Sequence, residues 1–320
     1  DTIARAMLHG VYGSPSPWCR LEKVKFLCPV PGYDRHFAIT ELYGIEMVPI
    51  EMTPDGPDMD TVERLVGSDP SIKGIWCVPK YSNPQGITYS DETVRRFARM
   101  KTSADDFMIM WDNAYAVHDL YPDRRDTLLN ILDECKKAGD PDRVMIFAST
   151  SKISYAGAGI AVFACSEAVM KRMKELLSFQ TIGFDKLNML RHARYFGDLD
   201  GVMRHMDKQA ELLRPKFAAV LDAFDRELAG KGIAEWLAPN GGYFISLDVM
   251  DGCARRVVRL CKEAGVVLTG AGATYPYKKD PRDRNIRVAP TYPTVPELEQ
   301  AVELLCISVQ LAAVEKLLAA

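Results

Sequence analysis

Residues 144–152 read Val144-Met145-Ile146-Phe147-Ala148-Ser149-Thr150-Ser151-Lys152: five apolar residues, three hydroxyls and a lysine. A continuous apolar run of this length suits a strand buried on both faces, because a strand with one wet face would alternate. Its polar end marks where the chain leaves the core. The same shape recurs upstream. FMIMW (107–111) ends in Asp112, and GIWCV (74–78) runs into Pro79-Lys80-Tyr81-Ser82-Asn83-Pro84. VKFLC (24–28), IEMVPI (45–50) and GIAVFA (159–164) complete the strand candidates of this half. Helical patterns fit between them at 58–67, 90–101 and 126–138. Ser90 and Asp91 give the second of these a cap and an acidic first turn. Strand–helix alternation of this kind predicts an α/β domain with a mostly parallel sheet.

The pattern changes near residue 186. Residues 186–229 read as long helix, broken or bent near Pro215. A smaller unit follows, with strands at 243–248, 266–268 and 286–288, a helix at 252–264 and a final helix from about 296. The expected division is a large domain over 1–200 and a small C-terminal α/β domain over 201–320. Residues 2–9 read as helix without a start signal of their own, and the chain opens on Asp1. The large domain is therefore expected to be N-terminally incomplete.

A length of 320 residues exceeds what one compact core usually holds, which fits two unequal domains. A net charge of −3 gives no electrostatic reason to expect nucleic acid or an anionic membrane as partner. No apolar run is long enough to span a bilayer. The eight cysteines form no C-x-x-C pair, and several sit inside apolar runs, as in Phe26-Leu27-Cys28. They read as buried reduced thiols, which points to the cytoplasm. The five histidines show no metal-ligand spacing.

In open α/β sheets ligands bind beyond the carboxyl ends of the strands, so the polar residues there carry the functional reading. Four places stand out. Asn83-Pro84 with Gly86 is turn chemistry. Asp112, after five apolar residues, needs a partner if buried, and also fits a cap or turn. Ser149-Thr150-Ser151-Lys152 with Gly157 and Gly159 suits a phosphate group, although the nucleotide P-loop order is absent. Arg287 alternates with Ile286 and Val288 along a strand, so its side chain faces the other way. Each has a plain structural reading when taken alone.

Taken together and in order, the four motifs resemble the fold-type I pyridoxal-phosphate (PLP) aminotransferases. Those enzymes carry S-N-P-x-G, D-x-x-Y, S-x-S-K and a late arginine. Here 29 residues separate Asn83 from Asp112, 40 separate Asp112 from Lys152, and 135 separate Lys152 from Arg287. CPVPGYDRHF, VPKYSNPQG, WDNAYAVHDL and FASTSK look most similar to an aspartate-aminotransferase-like subgroup, also labelled MocR-like. The resemblance runs from about Lys25 to Pro293.

The resemblance implies a cofactor, pyridoxal 5'-phosphate, bound as an aldimine to Lys152. It implies that Asp112 pairs with the pyridine nitrogen, and that Asn83 and Tyr115 bond the ring's phenolic oxygen. Ser149 and Ser151 would hold the phosphate, Tyr33 would stack on the ring, and His36 would support Asp112. Arg287, with Asn83 beside it, would bind the substrate carboxylate. The implied reaction is ping-pong transamination between aspartate or glutamate and a 2-oxo acid, in a homodimer with shared sites. Lys186, Arg191 and Arg194 are candidates for the substrate's side-chain carboxylate, although each also fits a solvated helix charge. Many relatives place a phosphate-contacting arginine where this chain has Ile160. Two alternatives stay open: another PLP reaction on the same scaffold, and an aminotransferase-like ligand-sensing domain of a transcription regulator.

Overall fold

A computed structural model describes residues 1–319. Helix α1 (Thr2–His9) leads to β1 (Lys25–Val30), α2 (Asp34–Leu42), β2 (Glu46–Thr53) and β3 (Gly56–Pro57). Next come α3 (Met59–Ser68), β4 (Ile72–Cys77), α4 (Asp91–Arg99), β5 (Met108–Asp112) and α5 (Ile131–Ala138). Strands β6 (Val144–Ser149) and β7 (Ala161–Ala164) precede α6 (Glu167–Gln180), α7 (Lys186–Phe196) and α8 (Leu199–Glu227). The last part holds β8 (Ala234–Trp236), β9 (Ile245–Val249), α9 (Ala254–Glu263), β10 (Asn285–Val288) and α10 (Val295–Ala319).

Seven strands form one sheet in the order β3-β2-β1-β4-β5-β6-β7. The pairs β1/β2, β1/β4, β4/β5 and β5/β6 are parallel, while β2/β3 and β6/β7 at the two edges are antiparallel. The continuous apolar runs have their expected cause. Along β5, Met108 and Met110 enter one buried cluster while Ile109 and Trp111 enter another. Along β4, Trp76 joins the first, and Ile75 and Cys77 the second. Alternate side chains thus leave the sheet into two separate cores, so both faces are mostly apolar; the one charged side chain of β4, Lys73, is buried on an ion pair with Asp106 at 2.6 Å.

Capping side chains start several of the helices. Ser90 accepts from the Thr93 amide at the head of α4, and Asn130 accepts from Leu132 and Asp133 at the head of α5. That cap places the start of α5 at Ile131, five residues after the expected 126. Helices α2 and α6 were not anticipated.

The stretch read as one long helix breaks elsewhere than expected. Gly197, at φ 74°, ends α7, and the Asp198 side chain accepts from the Gly201 amide to start α8. Pro215 lies inside α8 and does not end it. A proline interrupts only the bond to the residue four before it. Here burial of Ala210, Phe217 and Val220 on either side holds the helix in place.

A second sheet has the order β10-β9-β8, antiparallel throughout. Its third strand is Ala234–Trp236, not 266–268. Residues 266–268 form no strand, and Val267 is exposed. Side chains from α8, α9, α10 and this sheet share one core, which also takes in Leu120. The expected boundary at 200/201 falls in the first turn of α8, whose later residues Phe217, Val220 and Phe224 pack in that core. All eight cysteines are free and six are buried. No helix among the described residues is long and apolar enough to cross a membrane.

Candidate active site

The large sheet reverses its winding between β1 and β4: β2 and β3 lie to one side of β1, and β4 to β7 lie to the other. Loops leaving the two strands diverge there and open a crevice at their carboxyl ends. Tyr33, Asp34 and His36 follow β1, and Asn83 follows β4. Asp112 ends β5, with Tyr115 and His118 just beyond. Ser149 ends β6, and Lys152 lies in the turn after it. Arg287 arrives from β10 of the small sheet.

Asp112 has its partner. His36 Nε2 lies 2.9 Å from Asp112 Oδ2, and the His36 ring stacks on Trp76 at 4.3 Å and 9°. The Trp76 indole donates to Thr40 Oγ1 at 2.8 Å. Thr40 in turn donates to the His36 carbonyl at 2.7 Å, so α2 holds the Trp76 indole of β4 where it stacks on the imidazole. Tyr33 meets the His36 ring edge-on at 5.0 Å. Burial, and then the Asp112 charge, hold the Tyr33 phenol above the usual tyrosine range.

The Lys152 amine stands 5.0 Å from the centre of the Tyr115 ring. Burial lowers its pKa below the ordinary lysine value, and the Asp112 carboxylate acts in the opposite sense. Desolvation disfavours the ammonium form, so this amine sheds its proton more easily than a surface lysine. Tyr115 is itself buried. Burial, with the Tyr33 and Asp112 charges, keeps its phenol protonated, and Arg287 offsets part of this.

Arg287 Nη1 donates to Asp34 Oδ1 at 2.8 Å and to Asn83 Oδ1 at 3.2 Å, and its guanidinium lies 5.0 Å from the Phe244 ring. Its Nε is buried without a partner. A buried, unbonded donor on a cation is costly unless an acceptor arrives, so this edge is ready to take an anion.

The turn holding Lys152 is built as a cradle. Ser149 and Ser151 bring their Oγ atoms within 2.5 Å, and the Ser151 amide donates to Ser149 Oγ at 3.0 Å. A Cβ added at Gly159 would lie 3.0 Å from the Ser151 nitrogen and 3.2 Å from Ser151 Oγ. Only glycine leaves that space open. Ile160 closes the loop through its backbone: its amide donates to Thr150 Oγ1 at 2.8 Å, and its carbonyl accepts from the Thr150 amide at 2.9 Å.

Other residues at the site were given no role by the sequence, although Asp34, Lys80, Tyr81 and His118 lie inside the quoted motif phrases. Asp34 on Arg287, and Tyr243 and His118 at the Lys152 carbonyl, come together only through long-range contacts. Lys80 and Tyr81 both donate to Asp119 Oδ1, at 2.9 and 2.5 Å, which pins the loop carrying Asn83. Lys186, Arg191 and Arg194 all lie exposed on α7, and none makes a hydrogen bond or ion pair to the residues around Arg287.

The description "Aspartate amino-transferase" belongs to the sequence family whose profile matches residues 1–320. A putative aminotransferase of Mycolicibacterium smegmatis is 51% identical over 318 residues, covering 99% of this chain and 74% of that protein. An aspartate aminotransferase of Corynebacterium glutamicum is 49% identical over 315 residues, covering 98% of this chain and 72% of its own. The crystal structure of an aspartate transaminase from Corynebacterium glutamicum superposes with a TM-score of 0.97 at 48% identity, covering 99% of this chain and 74% of that one. The chain belongs to the aspartate aminotransferase family. It is therefore an aminotransferase of fold type I, and its cofactor is pyridoxal 5'-phosphate. The site has the features this group requires. There is a desolvated lysine amine, a carboxylate oriented by a histidine, an open glycine-lined cradle beside two serine hydroxyls, and an unpartnered buried guanidinium nitrogen.

Proposed function

We propose that this aminotransferase takes the amino group of a dicarboxylic amino acid, aspartate or glutamate, and passes it to a 2-oxo acid, both half-reactions using one site in ping-pong order. The observation that carries the reading is the meeting of three groups in one crevice: the buried Lys152 amine, the His36-held Asp112 carboxylate, and Arg287 with its unpartnered Nε. The Corynebacterium relative named as an aspartate aminotransferase supports the choice of donor. The motif phrases around Tyr33, Asn83, Asp112 and Lys152 favour the MocR-like subgroup.

When bound, pyridoxal phosphate supplies an electron sink that makes the α-proton of an amino acid acidic. This chain's residues do the rest. Lys152, neutral more readily than an ordinary lysine, holds the cofactor and then carries a proton to and from the substrate α-carbon as base and acid. Asp112 would bind the ring nitrogen, and His36 fixes which way that carboxylate points. Asn83 and Tyr115 would hold the phenolic oxygen. Asn83 Oδ1 already accepts from Arg287, which leaves its amide NH2 free to donate. Tyr33 would lie against the ring. Ser149 and Ser151 would hold the phosphate from the cradle that Gly159 leaves open. Arg287 takes the α-carboxylate, a planar two-oxygen anion that a guanidinium fork matches better than an ammonium does. The working unit is a homodimer with shared sites, built from a large domain over 1–200 and a small one over 201–320.

The test is spectroscopic. The purified protein with pyridoxal phosphate is expected to show a visible band that aspartate and glutamate convert faster than alanine or an aromatic amino acid. Lys152→Ala is expected to abolish the band, and Arg287→Ala to weaken every amino donor by about 100-fold or more. A band that survives Lys152→Ala would sink the cofactor role of this lysine. Faster conversion by alanine or tyrosine would sink the dicarboxylate reading.

A further inference from the structure

Lys152 lies in a turn, where regular structure does not claim the backbone carbonyls. The amides of Ile153 and Ser154 both donate to the Thr150 carbonyl, at 2.9 and 2.8 Å, so this turn closes on Thr150 rather than on Lys152. Two side chains from outside the loop take up the Lys152 carbonyl instead. The Tyr243 hydroxyl donates to it at 2.8 Å across 91 residues of sequence, and His118 Nε2 lies 3.4 Å away. The next carbonyl, that of Ile153, is held from α8 by Gln209 and His205, both at 2.8 Å. The rings of Tyr115, His118 and Tyr243 are mutual neighbours with centroids 5.4, 5.4 and 6.1 Å apart, and Tyr115 is the ring beneath the lysine amine.

We propose that Tyr243, backed by His118, is a positioning residue for Lys152: its hydroxyl holds the lysine's carbonyl and so fixes the point from which the side-chain amine reaches into the site. The inference rests on the reading of Lys152 as the lysine that binds the cofactor. A lysine side chain has four rotatable carbons, so a rocking peptide plane at its root would sweep the amine across the crevice. Catalysis by a proton-carrying group is sensitive to displacements of this kind. The two donors are also chosen for charge. Burial keeps the Tyr243 phenol protonated, and it holds His118 down to about 4, so both are neutral beside an amine that must give up its proton. The residue after Tyr243 is Phe244, whose ring lies against Arg287. One dipeptide ahead of β9 therefore touches both the lysine's backbone and the arginine.

Tyr243→Phe removes a single oxygen and keeps the ring. The variant and the wild type, both loaded with pyridoxal phosphate, are titrated across about pH 5 to 10 while the visible band is followed. Conversion of the band by aspartate is then timed in a single turnover. The expected result is a displaced apparent pKa of the band and a half-reaction slowed about three- to tenfold, with the aspartate concentration dependence unchanged. A titration and a rate that superimpose on wild type overturn the inference. So does a lowered melting temperature of the cofactor-free variant with no displacement of the band's pKa, because the bond then serves only the fold. Lys152→Ala is measured alongside. Loss of the band there with wild-type behaviour in Tyr243→Phe removes the positioning role alone, whereas a retained band removes the reading of Lys152 on which it stands.

Discussion

Lys152 is the residue at which burial and chemistry meet. Burial holds its amine below the usual lysine value of 10.5, and Asp112 counteracts only part of that. The unfolded chain therefore keeps a proton on this lysine up to a higher pH than the folded chain does. In that window the unfolded state binds more protons, so the share of stability tied to this group rises with pH up to about 10.5 and is lost as pH falls through the depressed folded value. At pH 7 the folded protein carries the cost of a buried charge. Lys152→Met is thus expected to raise the melting temperature of the cofactor-free protein at pH 7 by about 2 °C or more. The gain should shrink as the pH approaches that of an ordinary lysine. Calorimetry of both proteins across pH checks the slope, and a variant that melts lower at pH 7 would show that the amine's contacts outweigh its desolvation.

At the scale of elements, strand ends supply the chemistry and loops aim it. The turn between β6 and β7 has two internal closures, one at Thr150–Ile160 and one where Gly159 meets Ser151. His192 of α7 adds a third: its Nδ1 lies 2.9 Å from the Asn188 carbonyl, and its Nε2 lies 2.7 Å from Ser154 Oγ. The carbonyl assigns the proton to Nδ1, leaving Nε2 to accept from Ser154. Gly159→Ala would push a methyl group against the Ser151 backbone at 3.0 Å and displace the cradle. Its affinity for pyridoxal phosphate is expected to fall about tenfold, equivalent to about 1.4 kcal/mol, with the melting temperature of the cofactor-free protein nearly unchanged. Fluorescence titration of the cofactor reads this directly, and an unchanged affinity would take this loop out of phosphate binding.

At the scale of the molecule, the apolar surface is unevenly spread. Phe179, Ile182, Phe184, Leu187, Tyr195 and Leu199 are all exposed within a stretch of about twenty residues that runs from the end of α6 through α7 to the start of α8. Exposed large apolar side chains gathered in one such stretch are the kind of surface a partner covers. The homodimer reading predicts that a second copy covers it. Sedimentation of the wild type should give twice the chain mass of 35.7 kDa, and Ile182→Asp should shift the protein toward monomer and lower activity. A wild type that sediments as a monomer at micromolar concentration would remove that reading.

The sequence by itself determined the sheet and the local chemistry. Parallel strands buried on both faces read as near-continuous apolar runs, and the polar residues that follow each run stand at the sheet's carboxyl edge. Thus Asn83, Asp112, Ser149 and Lys152 could be picked out one strand at a time. Boundaries set by competition between local signals were less legible: Pro215 looked like a helix break until flanking burial carried α8 through it, and the three-residue strand β8 is too short to show a period. What only the tertiary structure decided is which residues touch across long separations. Asp34 meets Arg287 across 253 residues, and Tyr243 meets the Lys152 carbonyl across 91; neither pairing is written in any local stretch. Such contacts depend on how the small sheet packs over the crevice, and that geometry comes from side-chain burial summed over the whole core rather than from any stretch of sequence.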